Sequence, residues 1–366
     1  MASHLSTFRW GIISTGNIAT KFVQDLLVDP KTRGVHDIVH KVAAVGSRNI
    51  KSAQEFINTV AGGDQSIKAY GSYEGVYTDK DVDAIYIGTP HTYHYANALG
   101  AIQAGKNVLC EKPVTTNAAE LRSLLAAAKE HNVFFMEAMW TRFHPLTLEV
   151  KKIVEEGSLG APVVLHADLS NDFDINNLPK SHRILDPALG GGALLDLGPY
   201  PLVWGIVALY EHPSNNFASP SSISGAMIKT PLTGVDSNTS FTLAFSKVSA
   251  QAILSCSINA KELNPGVTIR FERGAIIIGT PIYCPHEFNV QHFGKGGEVI
   301  KEERKTFKYV GNGWHFQADE VARCVRDGKI ESALWGHDKS LVEMEIFDEV
   351  RRQGGYKLPL GVEKVV

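Results

Sequence analysis

With 366 residues, 44% of them hydrophobic and 20% charged, the chain is long enough for two globular domains of about 150 residues each. A formal net charge of -3 removes the electrostatic case for nucleic acid or an anionic membrane as partner and leaves a small molecule as the expected substrate. Cys110, Cys256, Cys284 and Cys324 form no CxxC pair, no apolar run approaches the ~20 residues of a membrane span, and the first ten residues hold no apolar signal core, so a reduced, cytoplasmic protein is expected.

Taken in order, residues 8–13 read as a first strand and 14–19 as the turn into a helix with Ile18, Phe22, Val23, Leu26 and Leu27 at helical spacing. Residues 40–46 form a second strand, and a helix follows with Ala53, Phe56, Ile57 and Val60 on one face. Strands at 84–88, 108–110 and 133–136 alternate with helices at 95–104 and 118–130. This alternation predicts a doubly wound parallel sheet, an N-terminal Rossmann domain over residues 1–140. One more helix, 146–156, precedes a strand-rich region with strands at 163–169, 223–228, 239–245, 250–257, 267–271 and 275–278. Many of these alternate apolar with small or polar residues, as in an antiparallel sheet with two different faces. Helices at 315–325 and 339–352 close the chain. The second domain, 141–366, is therefore α+β.

The turn Ser14-Thr15-Gly16-Asn17-Ile18 stands where a dinucleotide pyrophosphate meets a helix N-terminus. Its glycine fingerprint is degenerate, with Ser14 and Ala19 in place of the first and third glycines. After the second strand comes Ser47-Arg48, with no carboxylate to take a ribose 2′-hydroxyl. A guanidinium can fork onto a 2′-phosphate, so NADP is expected over NAD. Two further apolar runs end in Thr89-Pro90 and in Glu111-Lys112-Pro113, which would lie along the carboxyl edge of the sheet. A lysine there, partly shielded from water, can reach a pKa suited to proton transfer. Gly190-Gly191-Gly192 leads to Asp196 and Tyr200, four apart and so on one helix face, where a carboxylate and a phenol could orient and deprotonate a hydroxyl. The glycines would allow close approach to a ligand or to another stretch of backbone. His91 and His94 have no third ligand nearby in sequence, so no metal site is expected; His94 would cap the helix after it or touch the cofactor.

Thr89-Pro90 with His94, Glu111-Lys112-Pro113, and the glycine run with Asp196 and Tyr200 resemble the glucose–fructose oxidoreductase/inositol dehydrogenase/MocA (Gfo/Idh/MocA) family. The segments 139–143, 181–183 and 318–328 resemble its branch of dimeric dihydrodiol dehydrogenases and fungal NADP-dependent D-xylose 1-dehydrogenases. The resemblance implies an open-faced, mainly antiparallel second sheet, through which members often dimerise. It implies hydride transfer, with Lys112, Asp196 and Tyr200 as the catalytic group; many members carry histidine where Tyr200 stands, which leaves open whether lysine or tyrosine takes the proton. The cofactor would be held by Ser14, Thr15, Gly16, Asn17, Ile18, Ser47, Arg48, Thr89, Pro90, His91, His94, Glu111 and Lys112, with Trp140 and Arg142 near the nicotinamide or substrate. Substrate contacts would come from Lys112, Phe143, Asp172, Phe173, His182, Arg183, Asp196 and Tyr200. Oxidation of an aldose C1 hydroxyl to the lactone is the leading expectation. The rivals are a trans-dihydrodiol dehydrogenase, a carbonyl or anhydrosugar reductase, and a non-catalytic NADP sensor.

Overall fold

The structure is a computed structural model that describes residues 6–366. It resolves into two compact units, with the chain crossing between them after Trp140, Lys308, Leu341 and Glu363. The sequence suggests a single boundary at 140. The difference arises because residues 309–341 and 364–366 belong with the N-terminal unit rather than with the strand-rich one.

The first unit holds β1 (Ser6–Ile13), α1 (Asn17–Leu26), β2 (Ile38–Gly46), α2 (Ile50–Thr59), β3 (Lys68–Tyr70), α3 (Tyr73–Tyr77), β4 (Ala84–Ile87), α4 (His94–Gln103), β5 (Asn107–Cys110), α5 (Ala118–His131) and β6 (Phe135–Glu137). The strands run parallel in the order β3-β2-β1-β4-β5-β6, the doubly wound order that reverses at β1. All four residues of β4 are buried, as are Val108, Leu109 and Cys110 of β5, as expected of strands covered on both faces by helices. β3 and α3 do not appear in the sequence reading; at 3 and 5 residues they are too short to show a period.

The second unit begins with α6 (Pro145–Glu156) and β7 (Pro162–Ser170), followed by α7 (Ala193–Leu197) and α8 (Pro199–Gly205). Then come β8 (Ser222–Lys229), β9 (Asp236–Phe245), β10 (Ala250–Ser257), β11 (Val267–Phe271), β12 (Gly274–Ile278), β13 (Glu287–Phe293) and β14 (Val299–Thr306). They form one sheet in the order β14-β13-β12-β11-β7-β10-β9-β8, antiparallel except for β7 beside β10. α7 and α8 pack on β7, β9 and β10. Leu165, Ala167, Leu243, Ala252 and Leu254 are buried, whereas the alternating His166, Gln251 and Ile253 are exposed. The stretch Pro187–Tyr210 is long and apolar enough to cross a membrane by length and composition, more than the sequence reading allowed for. From Gly190 to Tyr210 it is buried, the setting of a core helix.

Beyond β14 the chain forms α9 (Trp314–Arg326) in the first unit and α10 (His337–Gln353), which crosses from the first unit to the second. The start of α9 is held by Asp25 of α1, a carboxylate 2% exposed. It accepts from the backbone N–H groups of Asn312 (2.9 Å), Gly313 (2.7 Å) and Trp314 (2.9 Å). Those are donors that a helix start leaves without an intrahelical partner.

Candidate active site

In the first unit the nucleotide turn follows β1. Ser14 has φ 86, a left-handed conformation that glycine adopts freely and serine rarely does. Its hydroxyl accepts from the Gly16 N–H at 3.2 Å, so the turn is stabilised by the side chain that replaces the fingerprint glycine. Gly16 is the N-cap of α1 and has no side-chain capping bond, so the first-turn N–H groups of the helix keep their donor capacity. Thr15 and Ser47 approach each other through their hydroxyls at 3.4 Å, which places the turns after β1 and β2 side by side. Arg48 is exposed and makes no hydrogen bond or ion pair among the described residues, while Asn49 next to it caps α2 through the Ser52 N–H at 2.8 Å.

β4 and β5 pair in parallel with Ile87 opposite Cys110, so Thr89, Pro90, Glu111 and Lys112 follow two adjacent strand ends. Three buried side chains hold the backbone there. Glu111 accepts the Tyr86 hydroxyl at 2.7 Å with one oxygen and the Lys112 N–H at 3.3 Å with the other. Burial nevertheless carries its carboxyl up to about 7. Glu137, at the end of β6, accepts from the Val114 N–H (3.0 Å), the Trp335 indole N–H (3.1 Å) and the Ser340 hydroxyl (2.6 Å).

His94 is fully enclosed, with Nδ1 2.8 Å from the Pro113 carbonyl and Nε2 2.8 Å from the Thr89 carbonyl. Burial pushes its pKa down to about 4, so the neutral ring donates to one of these carbonyls at a time. This corrects the expectation that His94 caps α4 or touches the cofactor: Tyr93 is the N-cap, and the imidazole ties two strand ends together. Lys112 itself is half-buried. His91 is also half-buried and Pro90 is exposed. Trp140 is 3% exposed and stacks on Trp314 at 4.2 Å and 8°. This stacking takes one face of the Trp140 ring.

In the second unit, Arg142 is wholly buried, with Nη2 3.2 Å from a Glu211 oxygen, and Phe143 is buried beside it in sequence. Arg142 thus sits in a buried ion pair, and Phe143 is 3% exposed. Asp172 is exposed and turns back onto the Asp174 N–H at 3.0 Å, and Phe173 and His182 are half-buried. The structure joins Arg183 to Asp196, guanidinium to carboxylate at 3.0 Å, with Asp196 buried and Arg183 half-exposed. Both Asp196 and Tyr200 lie in the field that raises the pKa of Arg183, Asp196 foremost.

Asp196 and Tyr200 are on two short helices, not one. Pro199 starts α8, yet the Gly198 N–H bonds to Leu194 O (2.9 Å) and the Leu202 N–H to Gly198 O (3.2 Å), so the helical phase carries through. The Tyr200 ring lies 5.4 Å from that of Tyr283. The loop bearing Tyr283 is clamped at successive carbonyls, Ile282 by the Trp204 indole (3.1 Å) and Tyr283 by the Thr141 hydroxyl (2.6 Å). Burial raises the pKa of the Tyr283 phenol. A cavity of about 500 Å³ near Asn264, Cys284 and His286 contains none of the candidate catalytic, cofactor or substrate residues.

Residues 8–139 match the model of an oxidoreductase family, GFO/IDH/MocA, with an NAD-binding Rossmann fold, and residues 147–277 match the GFO/IDH/MocA C-terminal domain. The chain belongs to the GFO/IDH/MocA family. Among relatives within it, a D-xylose 1-dehydrogenase (NADP(+)) of Hypocrea jecorina is 37% identical, over 96% of this chain and 93% of that protein. A trans-1,2-dihydrobenzene-1,2-diol dehydrogenase of Danio rerio is 34% identical over 95% and 97%. The fold matches that of an aldose-aldose oxidoreductase from Caulobacter crescentus with a TM-score of 0.80 at 20% identity, over 96% of this chain and 98% of that one.

Sequence reasoning about this GFO/IDH/MocA chain missed Glu137 and Tyr283. Glu137 repeats the signal of Glu111, a carboxylate at the end of an apolar run, and was legible. Tyr283, alone in a loop after Pro281, gives no local sign of lying against Tyr200.

Proposed function

We propose that the chain is an NADP-dependent oxidoreductase that oxidises the C1 hydroxyl of an aldose, D-xylose or D-glucose, to the aldonolactone. The observation that carries the reading is Tyr200, a buried phenol one helical turn after a carboxylate that is paired with Arg183. The full-length identity with the Hypocrea jecorina enzyme supports the substrate class. Support for NADP comes from the turn after β2, where Arg48 is exposed and no carboxylate stands beside it. The uncapped start of α1 suits the pyrophosphate.

When bound, NADP accepts the hydride that leaves C1. The chain's own residues handle the proton. A free phenol has a pKa near ~10 and must approach its phenolate form to act as a base. Arg183, whose own pKa Tyr200 helps to raise, favours that form in return. Tyr200 Oη takes the C1 hydroxyl proton, Lys112 binds the reacting oxygen, and Asp196 orients the sugar.

The test is absorbance at the NADPH band with D-xylose, D-glucose and a trans-dihydrodiol in parallel. Turnover of a sugar, lowered about 10²–10⁴-fold by Tyr200→Phe, is expected. Tight NADP binding without turnover of any of the three would overturn the reading. Arg48→Ala should raise the Kd for NADP about tenfold and leave that for NAD unchanged. The aromatic wall of Tyr283 beside Tyr200 favours a second reading, a trans-dihydrodiol dehydrogenase, which the same assay separates.

The protein is further read as a cytoplasmic homodimer. Its four cysteines are free, as in a reducing compartment. The sheet face bearing His166, Gln251 and Ile253 is the proposed contact. Sedimentation should return twice the chain mass, and a monomer at micromolar concentration would remove the dimer.

A further inference from the structure

The glycines ahead of Asp196 serve the chain itself. A Cβ on Gly191 would lie 2.8 Å from the Ile184 carbonyl and 2.9 Å from that of Arg183. Gly192, at φ 114, leaves no room for a Cβ because the Asp236 carboxylate occupies the space. α7 therefore starts wedged between the backbone that carries Arg183 and a side chain from the first residue of β9. Asp236 is 2% exposed. Its Oδ2 accepts from the Leu194 N–H at 2.8 Å and from the Thr239 hydroxyl at 2.7 Å. Gly192, the N-cap of α7, has no side chain to cap with. Asp236 supplies that function from 42 residues further along the chain, placing a carboxylate against the positive end of the helix.

The geometry points to Asp236 as the positioning residue for the Asp196–Tyr200 pair, resting on the reading of that pair as catalytic. It fixes where α7 begins and therefore where Asp196 meets Arg183 and where the phenol stands one turn later. Thr239 orients the carboxylate. Small displacements matter at such a pair, because a shift of about 1 Å in a catalytic group costs on the order of 10²-fold in rate.

The test compares Asp236→Ala, Asp236→Asn and Thr239→Val by steady-state kinetics, with NADP binding measured on the same preparations. Asp236→Ala should lower kcat about 10²-fold while the Kd for NADP, whose proposed site is in the other unit, stays within twofold. Asp236→Asn keeps an acceptor for the Leu194 N–H and should restore kcat to within a few-fold of wild type. If the alanine variant does not fold, Thr239→Val carries the test, with a severalfold fall in kcat and unchanged NADP binding expected. A folded Asp236→Ala or Thr239→Val variant with wild-type kcat overturns the inference, as does a loss shared equally by kcat and NADP affinity. A Tyr200→Phe variant with wild-type kcat removes the underlying reading instead. An inactive Tyr200→Phe beside a fully active Asp236→Ala removes this inference alone.

Discussion

The two units hold their chemistry-bearing side chains in opposite ways. Around Lys112 the grip is on the backbone: Glu111 takes its N–H, His94 reaches the Pro113 carbonyl, and Glu137 takes the Val114 N–H. Around Asp196 the grip is on the side chain, because Arg183 pairs with the carboxylate itself while Asp236 secures the helix start. A lysine has a flexible four-carbon stem, so fixing its root limits the volume its ammonium can sweep. An aspartate is short, so its position follows its helix and its direction follows its partner. Both solutions bury carboxylates against N–H donors; unpartnered, each would cost several kcal/mol.

The largest test of this contrast is Lys112→Ala. It removes the tip and leaves the root, and should lower kcat about 10³-fold with little change in thermal stability. Glu137→Ala does the reverse. It strands the Val114 N–H and the Ser340 hydroxyl proton in a buried site, while the Trp335 indole keeps Ser340 Oγ as acceptor, and chemical denaturation should show a loss of about 2 kcal/mol or more. An unchanged midpoint would mean that the strand ends are held by packing alone.

Glu111 supplies a pH test of the same grip. Its carboxyl is raised from 4.5 to about 7 in the folded chain, which therefore binds that proton more tightly than the unfolded chain does. The resulting stabilisation is fully present below pH 4.5 and is lost as pH rises to 7. Over that window it amounts to about 3 kcal/mol. His94 works in the other sense: lowered from 6.5 to about 4, it contributes above 6.5, and that contribution is lost as pH falls through 4. The stability of Glu111→Gln relative to the wild type should therefore rise as pH goes from 4.5 to 7, with the His94 contribution common to both. An identical slope in the variant would place the titration elsewhere. The smallest effect is expected from Arg183→Ala, which frees a carboxylate from a half-exposed guanidinium. A fall of about tenfold in kcat, with denaturation unchanged, would separate holding the tip from holding the root.

Much of this was legible beforehand. The strands from β1 to β6, apart from β3, alternate with helices whose apolar spacing is regular, and the strand-end residues at 89–90 and 111–113 fall on one edge as their position predicts. β13 and β14 were not legible. In β14, Lys301, Glu302, Glu303, Arg304 and Lys305 leave no apolar alternation, and the strand sits at the sheet edge where both faces tolerate charge. Trp140, Arg142 and Phe143 were singled out by the family resemblance of segment 139–143, which carries no sign of what they pack against. Trp314 and Glu211, their partners or neighbours in the core, are 174 and 69 residues away.

By itself the sequence determined the alternation of strand and helix, the turn at Gly16, the lysine at a strand end, and the carboxylate and phenol four residues apart. Each of these is written in spacings shorter than one element. Only the tertiary structure decided that residues 309–341 rejoin the first unit, that His94 bridges two loops, and that Asp25 and Asp236 cap helices from a distance. Those contacts join residues distant in the chain through a few hydrogen bonds each, and such bonds leave no period in a sequence.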